Sequence, residues 1–289
     1  MSSRSARLFV CLIAASLLYL PNSLFQLRAA EIIFSDDFES GELADHWDQV
    51  NIRTPGHGGI ETTPEYVHSG KRSLKLTATA NDGKASVAQV VRWFLPGYDQ
   101  LYFRYYARFA PDFDQGNYMH WTMIGGSRTD DKYSGMGKAG IKPDGTDFFT
   151  AMFEPGRDNK KYPPPGALQF SVSYPEMKAA PGGAFWTNSV RPDMPVVLER
   201  DRWYCLEAMV KLNQLGKTDG EMAYWVDGKE LLHIKDFHWR DADVLTLNFF
   251  WFSVYIHQAM QDNTCWYDDL IISTDYVGPE SGERQGEAK

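Results

Sequence analysis

The stretch Leu101-Tyr-Phe-Arg-Tyr-Tyr-Ala-Arg-Phe109 restricts the fold more than any other part of the chain. Taken at the two-residue period of a β-strand, it puts Leu101, Phe103, Tyr105, Ala107 and Phe109 on one face. Tyr102, Arg104, Tyr106 and Arg108 fall on the other. The first row is a core face. The second is a ladder of rings and guanidinium groups that can stack on sugars and fork onto carboxylate or sulfate, so it reads as the floor of a binding groove. The plainer alternative is the solvated face of a sandwich.

Two later stretches repeat the pattern. In Trp203 to Leu212 the apolar row is Tyr204, Leu206, Ala208, Val210 and Leu212, and Glu207 lies on the opposite face. In Leu245 to His257, Asn248, Phe250, Phe252, Val254 and Ile256 share one face; Trp251, Ser253, Tyr255 and His257 share the other. Asp227-Gly228 between Met222–Val226 and Glu230–Ile234 marks a two-residue hairpin. No stretch keeps a helical period over three turns, and there is no internal repeat. With 14% aromatics, 24 glycines and 15 prolines, the chain reads as one all-β, two-sheet antiparallel sandwich. If the polar faces belong to one sheet, Arg104, Tyr106, Glu207, Trp251, Tyr255 and His257 form a single surface. The loop-rich region between Gly125 and Pro195 is expected to wall one side of it.

Both ends stand apart from this pattern. Residues 1–30 read as a signal peptide: Arg4 and Arg7 precede the apolar run Leu8–Leu20, and Ala29-Ala30 supply small residues for cleavage. Arg28 or Leu27 at the third position before the cut keeps an uncleaved anchor in view. The domain is expected over 31–278 and a disordered polar tail over 279–289. Removing the leader takes away three basic and no acidic residues, leaving 26 Lys+Arg against the chain's 38 Asp+Glu. That balance argues against nucleic acid as a partner. The reading is a secreted or periplasmic monomer, free of the membrane once the signal is cleaved. Cys205 and Cys265 could form one disulfide or remain two buried thiols, and their spacing is not that of a zinc site.

Several short motifs carry a family resemblance. Asp36-Asp-Phe-Glu-Ser-Gly41, Ser69-Gly-Lys-Arg-Ser-Leu74, Tyr102-Phe-Arg-Tyr-Tyr106 followed by Ile124-Gly-Gly126, Tyr224-Trp-Val-Asp-Gly228 and Trp266-Tyr-Asp-Asp-Leu270 together resemble the concanavalin A-like jelly rolls. The likeness is to polysaccharide lyases of the alginate and glucuronan type in particular, and it runs over most of 31–278. It implies a jelly-roll sandwich and a structural calcium ion held by Asp37, Glu39, Ser69, Arg72 through its carbonyl, and Asp268. Alternation places Asp268 with Leu270 and Ile272, hence inward and in need of a partner such as a metal. Acidic turn residues capping strand ends in water are the alternative.

The resemblance also implies β-elimination on an acidic polysaccharide, a polyuronate. A cation neutralises the uronate carboxylate, one side chain removes the neighbouring proton, and another protonates the leaving oxygen. Arg104 would neutralise, with His120, Tyr106, Tyr255, His257 and Glu207 as candidate catalytic groups. Tyr102, Arg108, Trp121 and Trp251 would bind substrate. A non-catalytic carbohydrate-binding, lectin-like module would keep the stacking rings without that chemistry, and a cell-envelope structural protein is a third alternative. A glycosidase needs two facing carboxylates, and the Glu-x-Asp-x-(x)-Glu run of jelly-roll glucanases does not occur. No serine or cysteine nucleophile signature, His-Glu-x-x-His or phosphate-binding glycine loop is present.

Overall fold

The structure is a computed structural model that describes residues 30–52 and 57–280. The expected signal segment and nearly all of the expected tail lie outside those residues. Among the described residues no helix is long and apolar enough to cross a membrane.

Among the described residues, sixteen strands make two antiparallel sheets. In the first, β14 (Lys229–Phe237), β13 (Gly220–Val226), β12 (Trp203–Lys211), β6 (Gln100–Phe109), β16 (Asn263–Ser273), β4 (Ser73–Ala78) and β3 (Gly58–Glu61) follow in that order, and β1 (Ile32–Asp36) pairs with β16. In the second the order is β10 (Asn188–Val190), β9 (Gly166–Ser173), β8 (Phe148–Gly156), β7 (Met119–Arg128), β15 (Leu245–Ile256), β5 (Ser86–Tyr98) and β2 (Gln49–Ile52), with β11 (Val197–Leu198) on β9. One short helix, α1 (Leu43–His46), follows β1. The expected jelly-roll sandwich is the fold.

Alternation sets the core. The inward rows of β6, β12 and β15 are buried as their sequences predict, from Leu101 through Phe109, Tyr204 through Leu212, and Asn248 through Ile256. Burying such rows between two sheets is the main favourable contribution to this fold. Tyrosines at the interface spend their hydroxyls across it: Tyr105 Oη meets Thr122 Oγ1 at 2.9 Å, and Tyr267 Oη donates to the Ser253 carbonyl at 3.0 Å. At the Asp227-Gly228 turn both residues have positive φ, 50° and 78°, as a tight hairpin with primed-turn geometry requires. Gly125 and Gly126 leave room for phenyl rings; a Cβ on the first would enter the Phe249 ring, and one on the second the Phe149 ring.

Three expectations are corrected by the structure, and the alternative left open for the cysteines is decided. β6 and β12 belong to the first sheet and β7 and β15 to the second, so the surface joining Arg104, Tyr106 and Glu207 with Trp251, Tyr255 and His257 does not form. Trp121 is fully buried against Phe109, Tyr105 and Tyr267, not available for stacking on a sugar. Cys205 and Cys265 are free buried thiols rather than a disulfide. They pair in register with Tyr106 and Phe109, residues on opposite faces of β6. A register shift in β16 between Asp268 and Ile271, with Asp269 at φ 50°, breaks the alternation that pointed Asp268 inward with Leu270; Asp268 stands opposite Tyr106 instead.

Candidate active site

On the outer face of the first sheet, β6 presents the expected aromatic and basic ladder, but other parts of the chain cover it. Arg104 is 3% exposed, lies 5.3 Å from the Tyr106 ring centroid and has Glu280 at 3.8 Å. Glu207 accepts the amides of Val277 (2.8 Å) and Gly278 (2.7 Å), and Glu280 N donates to Tyr106 Oη at 3.0 Å. The chain beyond β16 thus closes over these groups. Burial is the largest influence on Glu207 and raises its carboxyl against the pull of those two amides and Arg104. Arg108 pairs with Asp201 at 2.5 Å, and the half-buried Tyr102 packs on Trp225. A cleft of about 480 Å³ lined by residues from Thr62 to Arg72 borders this region, and its His68 ring is stacked 3.6 Å from Tyr106 and held by Asp269. These groups are tied to one another. Arg104, Tyr106 and Glu207 are buried beneath the chain beyond β16.

The positions expected to hold calcium lie beside that cleft. Glu39 Oε1 accepts the Lys71 and Arg72 amides, both at 2.7 Å, and the Arg72 guanidinium donates to the Glu39 carbonyl. Asp37 Oδ1 accepts the Glu39 amide at 3.1 Å. Asp268 accepts the amides of His68, Ser69 and Asp269, while the Ser69 hydroxyl donates to Asp269. Among the described residues no group of three His, Cys, Asp or Glu side chains is placed to hold a metal. N–H donors occupy Glu39 Oε1, Asp37 Oδ1 and both Asp268 carboxylate oxygens, and a guanidinium occupies the Glu39 carbonyl.

The outer face of the second sheet is different. A register shift between Phe252 and Tyr255 on β15, against Thr122 and His120 on β7, admits one extra residue on β15. It sets Tyr255 directly opposite His120 and brings His257, just past the strand end, alongside. The ring centroids of His120, Tyr255 and His257 lie 4.8–5.6 Å apart. His257 Nε2 is 3.1 Å from His120 Nε2, and His120 Nδ1 is 3.2 Å from Glu154 Oε2 on β8. Tyr118, 62% exposed, stands against His257. Sequence reading missed Glu154. The signal was there: Phe149, Ala151 and Phe153 are core, so Glu154 shares the outward row of Thr150 and Met152.

The electrostatics polarise this pair. Burial pulls the His120 imidazole down, but the charge and hydrogen bond of Glu154 outweigh it and raise His120 above the ordinary value of 6.5. His257 is lowered, first by burial and then by the neighbouring His120, with Glu154 opposing. One imidazole therefore favours the charged form and its neighbour the neutral form. Opposed shifts of this kind are how a site divides proton-holding from proton-accepting roles.

Along β15 the face continues through Ser253 to the half-buried Trp251, which packs with Val91, Trp93, Met123, Met152 and Phe249. The region after β7 walls that end: Met136 packs on the same cluster, and Tyr133 meets Trp93 edge to face. It is joined to the region before β10 by Phe185 N donating to the Gly140 carbonyl at 3.1 Å. The stretch between Gly125 and Pro195 thus borders the second-sheet face alone, not the joined surface it was expected to wall.

No protein-family model and no curated protein matches the sequence. Solved structures do match in fold. An alginate lyase from Aplysia kurodai aligns over 85% of this chain and 100% of its own, with TM-score 0.64 and 14% identity. An alginate lyase from Chlorella virus aligns over the same shares with TM-score 0.62 and 15% identity. An endo-β-1,4-glucuronan lyase from Trichoderma reesei covers 85% of this chain and 96% of its own, with TM-score 0.58 and 16% identity. The chain thus has a polysaccharide lyase-like jelly-roll fold.

Proposed function

We propose that the protein is a secreted polysaccharide lyase that cleaves an acidic polysaccharide, a polyuronate, by β-elimination on the outer face of the second sheet. The observation that carries this reading is the pair of oppositely shifted imidazoles beside Tyr255. The Glu154-held His120 imidazolium faces the uronate carboxylate and neutralises it, which acidifies the adjacent C–H bond. As the His120 Nε2–H turns from His257 to the carboxylate, the freed lone pair of the neutral His257 takes that proton. The C–H electron pair becomes the new carbon–carbon double bond as the bond to the leaving oxygen breaks, and the Tyr255 hydroxyl protonates that oxygen. The proton gained by His257 returns to Tyr255, whose ring centroid is 5.0 Å away, and the site is reset. Trp251 offers a stacking surface for a further sugar unit.

The test is the ultraviolet absorbance of the unsaturated product when the purified protein is incubated with a panel of polyuronates and sulfated polysaccharides. A rise with a polyuronate that disappears in His257→Ala and Tyr255→Phe supports the assignment. A flat trace across the panel, with one polymer still retarding the protein in an affinity gel, replaces the lyase with a carbohydrate-binding module.

A further inference from the structure

The His120–His257 contact has a geometry that acid–base chemistry alone does not require. Two imidazole Nε2 atoms 3.1 Å apart can hold only one proton between them. Whichever ring carries it, the other presents a lone pair along the same line. A divalent cation can take the place of that proton once both rings tilt by about 35°, so that their lone pairs converge to one side of the N–N line. Imidazole nitrogens bound at ~2.0–2.1 Å to one tetrahedral zinc ion are about 3.3 Å apart, so the observed separation needs to open by only a few tenths of an ångström.

Three further observations favour a cation here. Glu154 Oε2 holds Nδ1 of His120 at 3.2 Å, which places a proton on Nδ1 and aims the Nε2 lone pair at His257. A carboxylate behind a ligating histidine in this way fixes its tautomer and raises its basicity. His120 is also placed by paired strands, and His257, one residue past β15, is tied back by its amide donating to the Tyr118 carbonyl at 3.4 Å. The rings remain reachable: His257 is exposed, and a third of the His120 side-chain surface is open. Water can therefore fill the remaining coordination positions. By contrast, the contacts of His57 with Asp262, His238 with Glu176 and Asp241, and His233 with Glu221 and Glu230 each join one imidazole to carboxylates.

We propose that the Nε2 atoms of His120 and His257 form a two-nitrogen site for a borderline divalent cation of the zinc class, with Glu154 as the group that orients His120 from behind. Occupancy displaces the shared proton and withdraws both imidazoles from acid–base work, so the cation acts as a reversible inhibitor of whatever proton transfer the pair performs. Binding itself needs no substrate, and its test is independent of the lyase assignment.

The experiment titrates the untagged protein with zinc chloride, following heat and proton release by calorimetry in two buffers of different ionisation enthalpy. Cobalt(II) serves as a visible-absorption reporter of nitrogen coordination. One saturable equivalent is expected, with a proton released at a pH where the pair holds one. It is expected to be lost in His257→Ala and His120→Ala, about tenfold weaker in Glu154→Gln, and unchanged in His238→Ala. His257 is exposed, so His257→Ala keeps the test decisive even if His120→Ala fails to fold. Unaltered affinity in His257→Ala, or no saturable equivalent in the parent protein, overturns the proposal.

Discussion

Replacing Glu154 by glutamine tests the electrostatic centre of the site with minimal change of shape. The amide is isosteric and its oxygen can still accept from His120 Nδ1, so the main loss is one negative charge 3.2 Å from the imidazole. A hydrogen bond to a charged group contributes about 1.5–3 kcal/mol against about 1 for a neutral one, and about 1.4 kcal/mol corresponds to one pKa unit. A third of the His120 side chain is open to solvent, which screens the interaction and favours the lower end, a loss of about 0.5 kcal/mol from the charged imidazole that lowers its pKa. The direction follows from the roles. Activity needs His120 charged, so the rate falls as pH rises through the His120 value; it needs His257 neutral, so the rate also falls as pH drops through the His257 value. The parent protein has these two values pushed apart, which gives a broad optimum whose limbs belong to the coupled pair. In Glu154→Gln the alkaline limb moves acidward and the rate on it drops about twofold at a given pH. Initial rates of unsaturated-product formation across pH, together with histidine ring-proton titration by NMR, measure both quantities. An unchanged alkaline limb with an unchanged His120 titration would refute the reasoning.

Further outcomes follow from the same geometry. Arg104→Ala is expected to cost about 2–4 kcal/mol of stability, read by denaturant unfolding, because it strips a buried cation from beside Glu207; kcat should persist, and loss of kcat in a fully folded variant would return Arg104 to the chemistry. Trp121→Ala should destabilise by about 3–5 kcal/mol, as truncation of a large core ring does, whereas Trp251→Ala should raise KM with little change in melting temperature. Since His120 is raised in the folded state, its contribution to stability is complete below the ordinary value of 6.5 and fades as pH rises through the folded value; urea midpoints across that window should show this slope, and Glu154→Gln should flatten it. Chelator treatment is expected to leave the melting temperature in place, and a drop reversed by added calcium would put that ion back among Glu39, Ser69, Arg72 and Asp268.

Much of the sandwich could be read from the residues because a half-buried strand writes its burial into every second position. The rows of β6, β12 and β15 are of this kind, and so is the Asp-Gly hairpin. What alternation cannot express is which strand lies beside which. β6 and β7 are separated by only nine residues, yet β6 pairs with β12 and β16, and β7 with β8 and β15. That crossing between sheets divides Arg104 from His120. Irregularities defeat the two-residue period in the same way. The extra residue in β15 that aligns Tyr255 with His120, and the shift at Asp269 that turns Asp268 around, are local departures with no periodic trace. Trp121 shows a third limit: an indole reads equally well as a sugar platform or as a core filler until its neighbours are known. His120, Tyr255 and His257 were each legible as candidates; their company was not.

The two buried thiols have a practical consequence. Burial raises both Cys205 and Cys265 to about 12, so the reactive thiolate is suppressed while the sandwich stays closed. The fold owes nothing to a cross-link and can assemble in a reducing compartment as well as an oxidising one. With Cys11 replaced by serine, a pulse of alkylating reagent would modify the chain only in the fraction of molecules whose first sheet has opened. Cys205, next to β13, and Cys265, between β6 and β4, would then act as two separate clocks, showing whether the sheet comes apart all at once or strand by strand.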